Sequence, residues 1–286
     1  LSKSNRDETA ISPTAHYTGH VWVRNGLSDP RLDTTAGRIL YTLLEPIMLA
    51  SRIVNGPTVE QFLLARHRLI DYQIEQLIDS GKVNQILEIA AGLSPRGLKF
   101  RKRYGNKIKY IETDLPSMAD LKKGLINGSL DDTHHRVLPL NLLLTHGPGS
   151  LKDLVSRMDT AAGTVIVTEG LLNYFDERNV RSMWRVISHS LGSFSYGAYI
   201  SDIHLSQQHS DWVIVRSFRW LLSIFVRGSV HLLFPDRLAA EWALIETGFL
   251  SAIVHRPQDW ADEVDACGFP GARLVHIITA LVNPKE

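Results

Sequence analysis

The chain has 286 residues, 44% of them hydrophobic, and 31 basic against 30 acidic residues leave a formal net charge of +1. That length suits one large α/β domain with a helical addition, or two small domains, and supplies enough apolar side chains for a sizeable core. The balanced charge, with no basic run interleaved with aromatics, gives no footprint for nucleic acid, and the single cysteine, Cys267, excludes an internal disulfide and suits a reducing, cytoplasmic setting.

In chain order, residues 1 to about 15 are polar, lack an apolar signal region and are expected to be mobile. His16, Tyr17, His20 and Trp22 follow as an aromatic segment; Pro13 and Gly19 argue against a helix there. That segment has two readings, a lid over a bound ligand or simple packing on the helices that follow. Residues 34 to 80 carry apolar side chains at helical spacing (Ile39, Leu40, Leu43, Leu44, then Leu69, Ile70, Ile74, Leu77), broken at Gly56-Pro57.

From residue 85 the rhythm changes to seven short apolar runs: Gln85 to Ala90, Ile108 to Thr113, Arg136 to Leu140, Thr164 to Thr168, Tyr196 to Asp202, Leu250 to His255 and Leu274 to Val282. Most are separated by helix-length segments, which predicts a mostly parallel sheet with helices on both faces. The organisation expected is an N-terminal helical or lid segment over 1–84, then a Rossmann-like domain over 85–286. The latter carries an aromatic-rich insertion, about 203–248, between the fifth and sixth runs, expected to form a helical cap. The insertion holds the most apolar stretch, Trp212 to Phe234, but Arg216, Arg219, Arg227 and His231 interrupt it, so no membrane span is expected. The basic residues Lys99, Arg101, Lys102, Arg103, Lys107 and Lys109 read as a solvated helix face and its exit turn. Twelve histidines invite a metal, but His16/His20 and His134-His135 lack zinc spacing and cysteine partners, so none is expected.

The segment Gln85 to Gly97, QILEIAAGLSPRG, carries the chemistry. An apolar strand enters a small-residue turn at Ala90-Ala91-Gly92, a helix starts near Pro95, and Asp114 ends the next apolar run, 22 residues after Gly92 (114 − 92). Strand, tight turn, helix start and an acid about twenty residues on is the local plan of a nucleotide-binding βαβ unit. The turn admits a ligand close to the backbone, and the acid accepts hydrogen bonds from ribose hydroxyls; the alternative for Asp114 is a helix cap. Ala90 stands where the first glycine of a dinucleotide fingerprint would be. That weakens a dinucleotide reading and leaves room for an adenosyl ligand without pyrophosphate.

Four segments in order resemble class I S-adenosylmethionine-dependent methyltransferases, in the branch of leucine carboxyl methyltransferase and bacterial polyketide O-methyltransferase-like proteins. They are Arg66-His67-Arg68-Leu69-Ile70-Asp71, Ala90-Ala91-Gly92-Leu93-Ser94-Pro95-Arg96, Tyr110-Ile111-Glu112-Thr113-Asp114-Leu115-Pro116 and Glu169-Gly170-Leu171-Leu172-Asn173-Tyr174-Phe175. The resemblance implies S-adenosyl-L-methionine as cofactor, S-adenosyl-L-homocysteine as product, and O-methylation of a small-molecule carboxylate or hydroxyl. It places the cofactor against Ala90, Ala91, Gly92, Asp114 and Glu169, with Arg66 or Arg68 meeting the methionine carboxylate. Tyr174 is the candidate at the reacting end. The aspartate usual after the third strand falls at Asn141, beside Leu142, where the carboxamide oxygen can still accept from an adenine amino group. Ser94-Pro95 replaces the usual Asp-Thr. Tyr17, Arg216 and Arg219 are candidates on the substrate side, the two arginines alternatively snorkelling from an amphipathic helix. Two rival readings are an NAD(P)-linked oxidoreductase on a similar sheet, and a methyltransferase-like protein that binds ligand without transferring methyl.

Overall fold

A computed structural model describes residues 4–53, 56–130, 133–206 and 231–282 of the chain. Each of the seven apolar runs is a strand: β1 (Gln85–Ile89), β2 (Lys109–Asp114), β3 (His135–Pro139), β4 (Gly163–Thr168), β5 (Tyr196–Ile203), β6 (Ser251–His255) and β7 (His276–Val282). They form one sheet in the order β3-β2-β1-β4-β5-β7-β6. β1 to β5 run parallel, and β7 returns antiparallel between β5 and β6. Every residue of β1 and of β4 is buried. Continuous apolar runs such as Ile-Leu-Glu-Ile and Thr-Val-Ile-Val are what a central parallel strand, covered on both faces, requires. The order reverses between β1 and β4, whose carboxyl ends lie side by side with Ile89 opposite Thr168. Ligands of open α/β sheets sit outside such a switch point.

Three helices precede the sheet, α1 (Ser4–Arg24), α2 (Thr35–Ile53) and α3 (Val59–Asp79). The broken helix expected around residue 16 is corrected: α1 runs through Pro13. Proline costs a helix one backbone bond and some crowding, and tertiary contact outweighs that here. Tyr17, Val21 and Trp22 are buried in a cluster that also holds Phe62, Ile70, Ile86 and Val165. Small residues set the approach: a Cβ on Gly37 would fall 2.3 Å from the carbonyl oxygen of His16, and one on Gly19 3.0 Å from the Cβ of Leu93. α3 begins with a capping box, in which Thr58 Oγ1 accepts from the Gln61 amide and Gln61 Oε1 from the Thr58 amide.

Between the strands lie α4 (Arg96–Tyr104), α5 (Pro116–Ile126), α6 (Leu151–Val155), α7 (Glu177–Leu191) and α8 (Arg237–Glu246). The basic face of α4 is not simply solvated. Lys99 pairs with Asp71 at 2.7 Å, and Arg103 with Glu75 at 2.7 Å, which fastens α4 to α3. Of the insertion, residues 207–230, and with them Arg216 and Arg219, lie outside the described residues. The described part returns along the end of β5, where the Leu233 amide donates to His204 and the Ser206 amide to Phe234, before α8. No helix among the described residues is long and apolar enough to cross a membrane.

Candidate active site

The cleft opens at the carboxyl ends of β1, β2, β4 and β5, and α1 and α3 close it from above. Its floor is the turn after β1. Gly92 sits at φ +48 and Ala90 at φ +56, a left-handed conformation costly for a residue with a Cβ. Backbone strain of this kind concentrates where a ligand or a close contact needs the chain in one place. The Ala91 amide donates to the Thr113 carbonyl at 2.9 Å, and the Gly92 amide to Asp114 Oδ2 at 2.7 Å. Asp114 Oδ1 also accepts from the Leu115 amide at 2.7 Å. Burial pushes the Asp114 carboxyl above its ordinary value, although both amides pull the other way. Asp114 therefore lines the cleft and braces the turn, and the helix-cap alternative is corrected, because the N-cap of α5 is Leu115 and no side chain caps that helix. α1 lies directly over this floor, because a Cβ on Gly92 would come 3.2 Å from the Cβ of Ala15.

Beneath the cleft is a buried ion network that the sequence did not reveal. Arg96 opens α4 just past the turn and is fully buried. Its guanidinium donates to Asp71 on α3 at 2.5 Å, Glu88 on β1 at 2.5 Å and Glu169 after β4 at 2.6 Å. Arg66 on α3 donates to the other Glu169 oxygen at 3.0 Å and to Asp202 on β5 at 3.2 Å. His67 Nδ1 lies 2.9 Å from Glu169, and the Trp22 ring stacks on the His67 ring at 4.3 Å. Burial alone would raise the Glu169 and Asp71 carboxyls. His67 and Arg96, joined by Arg66 at the first and Lys99 at the second, outweigh burial and hold both below the usual carboxylate range, Glu169 well below it. Asp202 Oδ1 accepts from the Gly170 amide at 2.7 Å, which fixes the backbone after β4 with Gly170 at φ +67.

Of the residues singled out in the sequence, Tyr17, Arg66, Ala90, Ala91, Gly92, Asp114, Glu169 and Tyr174 line this one cleft. Arg68 is exposed on the far side of α3, two helical steps of about 100° each turning it away from Arg66. Asn141 and Leu142 do not line the cleft, and Asn141 Oδ1 accepts from the Leu143 amide at 3.0 Å. His16 and His20 contact Thr34 and Asp33 instead of converging on a shared ligand. Residues unforeseen at the cleft are Phe62, Glu88, Asn173, Asp202 and His204, with Thr14, Ala15 and Thr18 of the roof. An acid inside an apolar run, as at Glu88 and Asp202, was the signal available for two of them.

This sheet order with its antiparallel seventh strand, and a carboxylate-lined cleft at the switch point, define the class I methyltransferase fold. A sequence model of the family leucine carboxyl methyltransferase matches residues 36–188, more than half of the chain, and the chain belongs to that family. No curated protein sequence matches it. Among solved structures it is similar to a DUF574 family protein from Streptomyces avermitilis MA-4680, with 13% identity, 97% of this chain and 100% of that one covered, and a TM-score of 0.65. A protein from Thermobifida fusca YX described as a methyltransferase shares 14% identity over 93% of either chain, with a TM-score of 0.61. An O-methyltransferase family protein from Burkholderia thailandensis gives 14% identity and a TM-score of 0.48; 77% of this chain is covered and only 59% of that one. At these identities the likeness is one of fold.

Arg96→Met should lower the unfolding free energy by about 3–5 kcal/mol, because three carboxylates lose a buried partner. Denaturant titration measures this, and a loss below about 1 kcal/mol would mean that the network adds nothing to stability. A depressed folded-state pKa adds stability that is complete above the unfolded value, at roughly pH 4–5, and is lost as pH falls through the folded value. The stability gap between wild type and Glu169→Gln should therefore be widest near neutrality and shrink on acidification. A gap independent of pH would detach Glu169 from acid stability.

Proposed function

We propose that this protein is an S-adenosylmethionine-dependent methyltransferase that methylates an oxygen of a small, largely apolar molecule. The observation that carries the reading is the charge of the cleft. Among the described residues Glu88, Asp114, Glu169 and Asp202 line it, and the two guanidiniums that reach them, Arg66 in the lining and Arg96 beneath it, leave more acids than cations. A ligand bearing a sulfonium and an ammonium group complements that excess of carboxylates.

The residues present fit the parts of the cofactor. Asp114, at the end of β2 with two amide donors already in place, retains acceptor capacity for ribose hydroxyls, since a carboxylate offers about four lone-pair sites. The Ala90–Gly92 turn supplies an approach without bulky side chains. Glu169 suits the ammonium group. Arg66 commits two of its five N–H donors to Glu169 and Asp202, and its remaining donors suit a carboxylate. The bound cofactor supplies a methyl group that is already activated. The chain has to position that group against an acceptor and keep water out. Tyr17, Trp22, Phe62, Leu63, Leu93 and Met118 give the cleft its apolar walls. Tyr174 stands at the acceptor end, and burial raises its phenol above the ordinary value, so it acts as a neutral donor.

Calorimetry should show S-adenosylhomocysteine binding at micromolar or tighter affinity and NADH binding far more weakly; the opposite order would replace this reading with a nicotinamide one. Asp114→Ala should weaken S-adenosylhomocysteine binding by about 1.5–3 kcal/mol, and it should also destabilise the ligand-free protein by about 1–3 kcal/mol, because the Gly92 and Leu115 amides lose their acceptor. Asp114→Asn, which keeps an acceptor oxygen, should lose less of both. A folded Asp114→Ala variant that binds like wild type would leave Asp114 a purely structural brace.

A further inference from the structure

We propose that the outer face of α8 is the contact surface of a homodimer, in which two copies of this chain meet about a two-fold axis. The proposal is independent of the reading of the cleft, none of whose lining residues lies on α8.

α8 reads RLAAEWALIE, and seven of its ten residues are apolar. They do not fall on one side. Ala240, Ala243 and Leu244 share one helical face and are fully buried in the cluster that holds Trp184 of α7 and Val254 of β6. Leu238, Trp242 and Ile245 repeat at i, i+4 and i+7 on the opposite face, and are 67%, 68% and 37% exposed. A helix apolar all round belongs in a covered position, and among the described residues only one side of α8 is covered. The chain turns at Gly248 and returns as the edge strand β6, where Leu250 and Ile253 are 64% and 55% exposed.

The face is preformed. Asp236 Oδ1 accepts from the Ala239 amide at 2.9 Å and caps the helix, and Arg181 of α7 pairs with Glu246 at 2.7 Å. Glu241 Oε1 accepts from the Val254 amide at 2.8 Å, and Arg237 donates to the Val254 carbonyl at 3.4 Å. These two side chains occupy the outward backbone groups of β6 at Val254, so another chain cannot pair there as an added strand. The contact left is between side chains, from the helix face.

A second copy of the chain is the partner this face fits. A standard interface takes about 800 Å² from each partner and homodimer interfaces are about 65% apolar, so about 500 Å² of apolar surface per chain is needed. Five large apolar side chains, exposed by 37% to 68%, supply an area of that order. A two-fold contact sets a patch against itself, so the patch must not repel itself. Beside the stripe Arg237 has Glu241 one turn away, and Arg181 has Glu246. With α8 antiparallel to its copy and the axis beside Trp242, Leu238 of each chain faces Ile245 of the other. The two indole rings then meet at the centre, where binding energy concentrates. Permanent interfaces are more apolar than transient ones, and the copy is the partner present wherever the chain is made.

Sedimentation velocity on the full chain should show a dimer at micromolar concentration. Trp242→Glu should weaken it at least about thirtyfold, the threshold of a hot spot, and Leu238→Glu, on the same stripe, repeats the test. Both side chains point away from the core, so both variants should keep the wild-type circular dichroism. Leu43→Glu, a matched change at a side chain of α2 that is 69% exposed, should leave the dimer intact. Amide exchange over residues 237–253 should slow with rising concentration in the wild type and not in Trp242→Glu. A chain that stays monomeric would overturn the proposal and leave the stripe to another segment of this chain or to a different protein. A dimer unmoved by Trp242→Glu and Leu238→Glu, or one that Leu43→Glu dissociates instead, would overturn it by placing the contact elsewhere.

Discussion

The buried guanidinium of Arg96 is the constraint around which the site is built. A charge with no exposure to water is tolerated only where partners replace its hydration, and Arg96 finds three carboxylates, on α3, on β1 and after β4. Those elements are fixed relative to one another because moving any of them would strand a charge in the core. Glu88 is held again by Tyr110, whose hydroxyl donates at 2.7 Å from the neighbouring strand. Through Glu169 the constraint reaches Arg66, and through Arg66 it reaches Asp202 and the end of β5. The carboxylates that face the cleft are thus ordered before any ligand arrives, and a preorganised site loses less on binding.

A second buried charge cluster stands beside the first. Glu112 pairs with Lys122 of α5 and with His135 of β3, all three buried. Gly97, in the first turn of α4, touches this cluster so closely that a Cβ would fall 2.6 Å from His135 Nε2. The adjacent positions Arg96 and Gly97 therefore do different work, one filling a buried polar pocket and the other making room for its neighbour. The roof is tied to the same structure: Trp22 of α1 stacks on His67, and His67 contacts Glu169. α1 thereby couples the upper wall of the cleft to the charges beneath it.

Sequence reasoning located the strands because central parallel strands are apolar on both faces, and it located Gly92, Asp114 and Glu169 because turns and strand ends carry recognisable residue types. It had less hold on side-chain direction. Arg66 and Arg68 are equivalent in composition and two residues apart, yet one points into the cleft and the other to solvent. Asn141 stands where the resemblance implied an adenine contact, but its carboxamide oxygen turns back on its own loop. Local signals also failed at α1, where Pro13 and Gly19 read as breakers. Gly19 is instead the small residue that lets the helix close on Leu93.

What the sequence determined by itself is the periodic pattern: seven apolar runs, the helices between them, and a small-residue turn followed by an acid. These depend on neighbours within a few residues, where backbone geometry is set locally. The tertiary structure decided everything that joins distant residues. It put Arg96 among Asp71, Glu88 and Glu169, set His204 against a carbonyl 70 residues away, and laid α1 over the glycine turn. The energy of such contacts depends on burial and partner geometry, and neither is encoded at any single position in the chain.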